Sequence, residues 1–270
     1  MKTILLLIHD DEGQEARYQA ALDIARAVGG HLACLDLTII PEYIGDYSVP
    51  MTAGGLLLAE ENAIEAAHAS RMRTRIERED VPFDWTSMTG FLSQTLEARA
   101  ALIDLIVVST DDSGVFFPHM THVIGDLLVH TGKPVLAVPP ACRGITLRGR
   151  ALVAWDGSKD AEAALCSALP LLRLAMSVTL FHVDNGSMAT GVGEAARYLA
   201  RHGITSTIKN EPLDVDRVGE ALLREVAMAQ HDFVVMGGFG HARTIEAIFG
   251  GPTRTMLKEC DVPMLLVHQR

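Results

Sequence analysis

Two glycine clusters in the last forty residues have the types and spacing that suit anion binding. The first, Gly237-Gly238-Phe239-Gly240, follows the apolar run Phe233–Met236, and the second, Gly250-Gly251-Pro252-Thr253, precedes a helical pattern. Glycines let backbone N–H groups approach a ligand without interference from a Cβ, and a helix start adds partial positive charge. The alternative is that the first cluster only turns the chain and the second only interrupts a helix.

The elements that would position these clusters alternate between strand and helix. In the first half, the predicted strands are Ile4–Ile8, Leu32–Leu37, Phe83–Trp85, Leu105–Val108 and Val135–Val138, and the predicted helices are Gln14–Val28, Ala59–Arg78 and Leu92–Leu102. In the second half, the predicted strands are Ala151–Trp155, Val178–Val183, Ile204–Ile208, Phe233–Met236 and Met264–Val267, with helices Ala161–Leu174, Ala189–His202, Val215–Ala229 and Thr253–Glu259. This alternation predicts an α/β protein with mostly parallel, doubly wound sheets.

The pattern occurs twice, with a break in the middle. Pro139-Pro140-Ala141-Cys142-Arg143-Gly144 interrupts the alternation and predicts a boundary between domains 1–140 and 148–270. Asp10 and Asp156 lie as far apart in the sequence as Leu32 and Val178 do. A duplicated and diverged fold accounts for this spacing.

An acid follows the first strand of each copy. Asp10-Asp11 comes after the first strand of the first half, and Asp156-Gly157-Ser158 comes after that of the second. Doubly wound sheets bind ligands at the carboxyl ends of their strands, where the strand order reverses. We therefore expect Asp156 and the first glycine cluster to face one crevice.

Three segments resemble the universal stress protein family in its tandem form. These are Ala151–Ser158, Val178–Val183 and Val234–Gly240 with Gly250 beyond, and the resemblance extends over essentially the whole chain. The family's nucleotide motif is G-x2-G-x9-G-(S/T), and its glycines fall on Gly237, Gly240 and Gly250. The resemblance implies adenine-nucleotide α-hydrolase-like domains of strand order 3-2-1-4-5. It also implies that the last strands of the two halves pair, which makes the chain an intrachain pseudo-dimer.

The resemblance also implies a ligand, ATP or AMP, with Mg²⁺ as an accompanying ion. The residues that the family pattern places around the ligand are Ala154, Asp156, Val183, Met236, Gly237, Gly240, Gly250, Gly251 and Thr253. Asp156 would contact adenine or ribose, Val183 would line the adenine pocket through its backbone, and the glycines would surround ribose and phosphates.

The second half departs from the family motif at one point. The hydroxyl residue that follows the third glycine is Gly251 here, and Pro252 comes next. Thr253 could supply the hydroxyl, and proline is well tolerated in the first turn of a helix. We expect the nucleoside to be held better than the terminal phosphate, so that AMP or ADP competes with ATP.

The first half lacks the glycine motif. Ser109, Asp112 and His122 stand where the three glycines should be, with Asp111 beside them. Carboxylates would repel a phosphate in a poorly screened crevice, so no nucleotide is expected there. His119 and His122 near these acids could be offered as divalent-metal ligands, but no third ligand stands at a defined spacing. We expect solvated histidines and no metal.

Composition excludes several classes of protein. A net charge of −11 and a pI of about 5.4 argue against nucleic-acid binding, which needs clustered cations. No apolar run has membrane length, and the run Ile4–Ile8 leads into acids, unlike a signal peptide. Cys34, Cys142, Cys166 and Cys260 lack paired spacing, which predicts free thiols and a cytoplasmic location. Cys166 lies in an apolar helical run and is predicted to be a core residue.

These observations lead to one expected function and one alternative. We expect a non-enzymatic stress or signalling protein that binds an adenine nucleotide in its C-terminal domain and acts on an unidentified protein partner. No P-loop and no positioned base or metal-binding carboxylate set is present to suggest an enzyme. Association into a homodimer stays open. The alternative is a scaffold, or a module for a small molecule or lipid, that acts through protein contacts.

Overall fold

The structure is a computed structural model that describes residues 1–40, 65–110, 119–183, 190–211, 218–238 and 251–269. Its strands are β1 (Thr3–Ile8), β2 (His31–Ile39), β3 (Phe83–Gly90), β4 (Leu105–Ser109), β5 (Val135–Val138), β6 (Arg150–Trp155), β7 (Ser177–Val183), β8 (Ser206–Glu211), β9 (Phe233–Gly237) and β10 (Met264–Val267). Its helices are α1 (Gln14–Val28), α2 (residues 65–76), α3 (Leu92–Arg99), α4 (Met120–Thr131), α5 (Lys159–Leu172), α6 (Val192–Arg201), α7 (Val218–Ala229) and α8 (Pro252–Glu259).

The strands form one sheet in the order β3-β2-β1-β4-β5-β10-β9-β6-β7-β8. All neighbours are parallel except β5 and β10, which are antiparallel. Followed inward from each edge, both halves have the order 3-2-1-4-5. This confirms the predicted doubly wound α/β fold, whereas the domain limits 1–140 and 148–270 stay a prediction.

The two halves join through their fifth strands. Leu265 of β10 lies opposite Leu136 of β5, and the side chains of both strands are buried. Hydrophobic clusters cover the two faces of the sheet, and each cluster contains residues from both halves. The chain is therefore an intrachain pseudo-dimer with a continuous core, as the resemblance implied.

The local sequence explains where the inner strands lie and where two of the helices begin or end. β1, β4, β5 and β10 are continuous apolar runs because helices cover both of their faces. Helix α1 ends at Gly29, which has a left-handed φ of 58°, and α5 begins after Ser158, whose Oγ accepts a hydrogen bond from the Ala161 N–H at 3.2 Å.

The edge strands differ most from the prediction. β3 extends over Phe83–Gly90 where only Phe83–Trp85 was predicted, and β8 covers Ser206–Glu211 where Ile204–Ile208 was predicted. Most of their side chains are exposed or half-buried, because each strand pairs with a single strand among the described residues. Such strands lack the apolar runs that mark the inner ones. The predicted helix Leu92–Leu102 also ends earlier, at Arg99.

The continuous core makes a prediction about unfolding. The two tryptophans, Trp85 in β3 and Trp155 in β6, lie in different halves. Trp85→Phe and Trp155→Phe variants therefore let fluorescence follow one half at a time in urea. Because the halves share a sheet and both clusters, we expect coincident transitions. Two separated midpoints within either variant, by fluorescence and by circular dichroism, would show that the halves unfold independently.

Candidate functional site

The candidate site lies where β6 and β9 end side by side. These strands are parallel neighbours, with Ala151 opposite Phe233 and Val153 opposite Val235, so their carboxyl ends share one edge of the sheet. Asp156 follows β6 and Gly237 ends β9, while β7 on the other side of β6 ends at Val183. The predicted adjacency of the first and fourth strands is therefore present.

The backbone fixes Asp156 at the entrance to α5. Its Oδ1 accepts a hydrogen bond from the Ser158 N–H at 2.9 Å, and Gly157 between them has a φ of 73° that favours glycine. Asp156 is half-buried. Its carboxylate is thereby held at the strand tip rather than carried on a free loop.

Gly237 and Gly238 are needed for close packing. A Cβ on Gly237 would lie 2.8 Å from Asp160 Cβ and from the Ala161 nitrogen, so its absence lets α5 approach the end of β9. Gly238 is buried, and its N–H donates to the Val267 carbonyl at 2.9 Å. Both glycines therefore have structural roles beside the ligand contact predicted for Gly237.

A second acid lies beneath these glycines. Asp160, which is 6% exposed, accepts a hydrogen bond from the Gln269 N–H at 2.6 Å. The Nδ1 of His268 lies 3.3 Å from Asp160 Oδ1 and 3.1 Å from the Gly238 carbonyl oxygen. Since both neighbours of Nδ1 are acceptors, this nitrogen carries the proton. These contacts tie residues 268 and 269 to α5.

The first turn of α8 is the third part of the site. Gly251 is exposed with a φ of 88°, and no atom of the described residues other than its chain neighbours lies within 4 Å of the position that a Cβ would occupy. Pro252 is the first helical residue, and Thr253 is 7% exposed. Because β9 runs toward the ligand edge and α8 returns the chain to β10, the N-terminus of α8 faces that edge.

The other predicted site residues divide into three groups. Ala154 is half-buried near the end of β6, whereas the Met236 side chain is 4% exposed and belongs to a hydrophobic cluster. Val183 ends β7. Gly240 and Gly250 lie outside the residues that the structure describes. The structure thus brings together the tips of β7, β6 and β9, and the ligand contacts assigned to these residues stay predictions.

The corresponding crevice of the first half is filled by Arg17. This side chain is 1% exposed, and its guanidinium lies between the ends of β1 and β4. Its acceptors, at 2.5–2.8 Å, are the carbonyl oxygens of Leu7 and His9, Gln14 Oε1, Asp11 Oδ1 and Ser109 Oγ. Gly13 makes room for this arrangement, because a Cβ there would lie 2.2 Å from Ser109 Oγ.

Buried polar groups occupy the neighbouring tip of β1. The Glu65 side chain, 2% exposed, accepts a hydrogen bond from the Asp10 N–H at 3.0 Å and lies 2.6 Å from His9 Nδ1. His68 Nδ1 is 3.9 Å from Glu65 Oε2, and its Nε2 is 3.9 Å from Asp10 Oδ1. Burial is the main cause that lowers the pKa of His68. Side chains from α1 and α2 thus take the space that a ligand would need.

The sequence carries a signal for the buried role of Arg17. Arg17 lies on the buried face of α1, three residues after Gln14 and four before Ala21. A buried arginine needs several hydrogen-bond acceptors for its guanidinium. For an arginine on the buried face of a helix, the nearest acceptors are the carbonyl oxygens at the ends of the strands that the helix covers. No comparable signal marks Glu65 and His68, since a helical pattern over Ala59–Arg78 does not show which of its polar residues reach the tip of β1.

His182 is 3% exposed, and its Nδ1 donates to the Trp155 carbonyl at 3.0 Å. The predictions for the cysteines have mixed outcomes. All four cysteines are free thiols, as predicted. The prediction for Cys166 was wrong: it is exposed, because Ala161, Ala164 and Leu165 of α5 face the sheet instead.

No metal centre is formed by the described residues, in which no three His, Cys, Asp or Glu groups are arranged to hold an ion. The ring centroids of His119 and His122 lie 5.6 Å apart. Asp111 and Asp112 are outside the described part of the chain. In the same part, no helix combines the length and hydropathy that a membrane crossing requires.

The buried hydrogen bonds of Arg17 predict that its substitution lowers stability strongly. Arg17→Ala would leave buried acceptors without their donor, and we expect the free energy of unfolding to fall by about 3–5 kcal/mol. The control is Arg26→Ala on the same helix, whose exposed guanidinium pairs with Glu79 at 2.5 Å and contributes about 1 kcal/mol or less. Urea titrations measure both, and equal losses would contradict the role assigned to Arg17.

The lowered pKa of His68 predicts how the stability of the protein depends on pH. Because its folded pKa is lowered below the ordinary value of 6.5, the unfolded chain takes up a proton first as the pH falls. The free energy of unfolding should therefore decrease below about pH 6.5, and His68→Gln should flatten that decrease between about pH 7 and about pH 5. Urea titrations across this range test it. An unchanged slope in the variant would exclude His68 as a source.

Comparisons with known proteins agree with this geometry. Residues 148–268 match the model of the Universal stress protein family. A universal stress protein from Archaeoglobus fulgidus DSM 4304 has a similar structure, with a TM-score of 0.76 and 14% sequence identity, over 99% of this chain and 96% of that chain. A functionally unknown protein from Pseudomonas aeruginosa PAO1 has a TM-score of 0.58 and 16% identity, over 99% and 92% of the two chains.

The comparison with curated proteins returned no match. At these identities the solved structures establish the fold of the whole chain, while the family model identifies the second half directly. The matching fold of the first half and the shared sheet complete the tandem arrangement. Residues 148–268 therefore match the Universal stress protein family, and the whole chain has the fold of a universal stress protein from Archaeoglobus fulgidus.

Proposed function

We propose that this protein acts as a universal stress protein and binds an adenine nucleotide, ATP or AMP, in the crevice of its second half. The observation that supports this most strongly is the pairing of β6 with β9, which brings Asp156 and the glycine end of β9 to one edge of the sheet. Carboxylates accept hydrogen bonds from ribose hydroxyls or an exocyclic amine. Asp156 would thus hold the nucleoside.

The start of α8 would hold the phosphates. Its first turn offers backbone N–H groups and the positive end of the helix dipole, an effect of about 0.3–1 kcal/mol per negative charge at exposed sites. Gly251 is exposed and has no side chain of its own, which suits a group that approaches the backbone, and Thr253 lies in the same turn. Mg²⁺, when present, would neutralise part of the charge of a triphosphate.

The contrast between the halves supports a single site per chain. In the first half, the Arg17 guanidinium occupies the space between the first and fourth strands, and its acceptors belong to the protein itself. In the second half, alanine occupies position 163, which lies as far from Asp156 as Arg17 does from Asp10. We therefore propose that the first half binds no nucleotide.

The role that follows is recognition of a nucleotide without turnover. The sequence has no P-loop lysine motif to support efficient phosphoryl transfer. We propose a stress or signalling function in the cytoplasm, where a reducing environment suits four free thiols. The nucleotide state would be read by a protein partner.

Calorimetry with ATP and AMP tests the proposal. We expect one site per chain in the wild type and an affinity about 10- to 100-fold lower in Asp156→Ala, the loss of hydrogen bonds to a charged acceptor. Asp10→Ala, at the matching tip of the first half, is the control and should bind normally. Gly240→Asp should also abolish binding. AMP and ADP should compete with ATP because Gly251 replaces the motif hydroxyl.

Several outcomes would contradict the proposal. Two equivalent sites per chain would exclude a closed first half, and a strong preference for ATP would exclude weak phosphate recognition. Indistinguishable heats for the wild type and Gly240→Asp would exclude the nucleotide site. Native mass spectrometry of freshly purified protein adds an independent readout, in which a retained lipid-like mass would favour the alternative small-molecule module.

A further inference from the structure

Gly238, at the entry to the nucleotide motif, is held from three directions. Its N–H donates to the Val267 carbonyl at 2.9 Å, and its carbonyl oxygen lies 3.1 Å from His268 Nδ1. On its third side is Leu128 of α4, a residue of the first half. A Cβ on Gly238 would lie 3.0 Å from Leu128 Cδ1, so the leucine lies beside the space that a side chain at this position would take.

The other end of the motif rests on the same helix. α8, which begins after Gly251, packs against α4. Met256 and Leu257 of α8 belong to the same hydrophobic cluster as Leu128, and the side chains of all three are buried. One helix of the first half therefore supports both described ends of the segment that carries the glycine motif.

The packing around Leu128 is tight enough to transmit a change of position. Leu128 is 0% exposed, and buried side chains at native density cannot move without displacing their neighbours. Shortening this side chain would leave a cavity beside Gly238. The glycine and α8 could then shift toward the space, and the N–H groups meant for phosphates would shift with them.

We propose that Leu128 is a positioning residue for the nucleotide site of the other half. The inference rests on the proposed function and extends it: the first half binds no nucleotide itself but sets the affinity of the second through α4.

Nucleotide affinity in Leu128→Ala tests the proposal by calorimetry with ATP and AMP. We expect affinity to fall roughly 2- to 30-fold, the range for mutations that couple to a site without touching its ligand. The matched control is Leu96→Ala, since Leu96 is equally buried in the same cluster but lies on α3. Circular dichroism and urea titration establish that both variants are folded and compare their stability losses.

A double mutant makes the test specific. Gly238→Ala pushes a methyl group against Leu128, so it should weaken binding, and adding Leu128→Ala should recover part of the affinity. Hydrogen exchange of the unliganded protein gives a readout without nucleotide: residues 233–238 and 251–259 should exchange faster in Leu128→Ala than in Leu96→Ala.

The outcomes separate this inference from the proposed function. A wild-type protein that binds neither ATP nor AMP ends the proposed function, and the positioning role ends with it. A wild type that binds, with equal affinity in Leu128→Ala and Leu96→Ala or with no recovery in the double mutant, overturns the inference alone. Equal exchange rates in the two leucine variants would also overturn it.

Discussion

The antiparallel pairing of β5 with β10 is the interaction on which the rest of the molecule depends. Each of these strands would otherwise be an exposed apolar edge, which in water invites association with other chains. Their pairing converts two five-stranded sheets into one and lets hydrophobic clusters extend across both halves. The helices beside the junction, α4 and α8, therefore come into contact, and the second half takes part of its support from the first.

The two halves use different residues to pack the first helix against the fourth strand. In both halves the first helix packs closely on the end of the fourth strand, and a glycine makes this possible. In the second half the glycine is Gly237 on the strand, facing Asp160. In the first half it is Gly13, the residue just before the helix, facing Ser109. The side chain retained at Ser109 then becomes an acceptor for Arg17.

Much of this fold could be predicted from the sequence because its inner strands are buried on both faces. Such strands appear as uninterrupted apolar runs, and the predicted limits of Val135–Val138 and Met264–Val267 agree with the structure. The edge strands could not be bounded in the same way, since in the described part of the chain each pairs with one strand only. For the site, the glycine spacing located the strand tips. It did not reveal that Gly237 allows α5 to pack on β9, or that Arg17 fills the crevice of the first half.

The way in which Arg17 is held makes the filling of the first crevice resistant to single substitutions. Replacing Ser109 by glycine would remove one of the five acceptors and leave Arg17 the other four. Most of those four also accept a backbone N–H from a nearby residue, so they form a network that does not depend on the arginine alone. The guanidinium is therefore held redundantly, and no single hydrogen bond decides whether it stays.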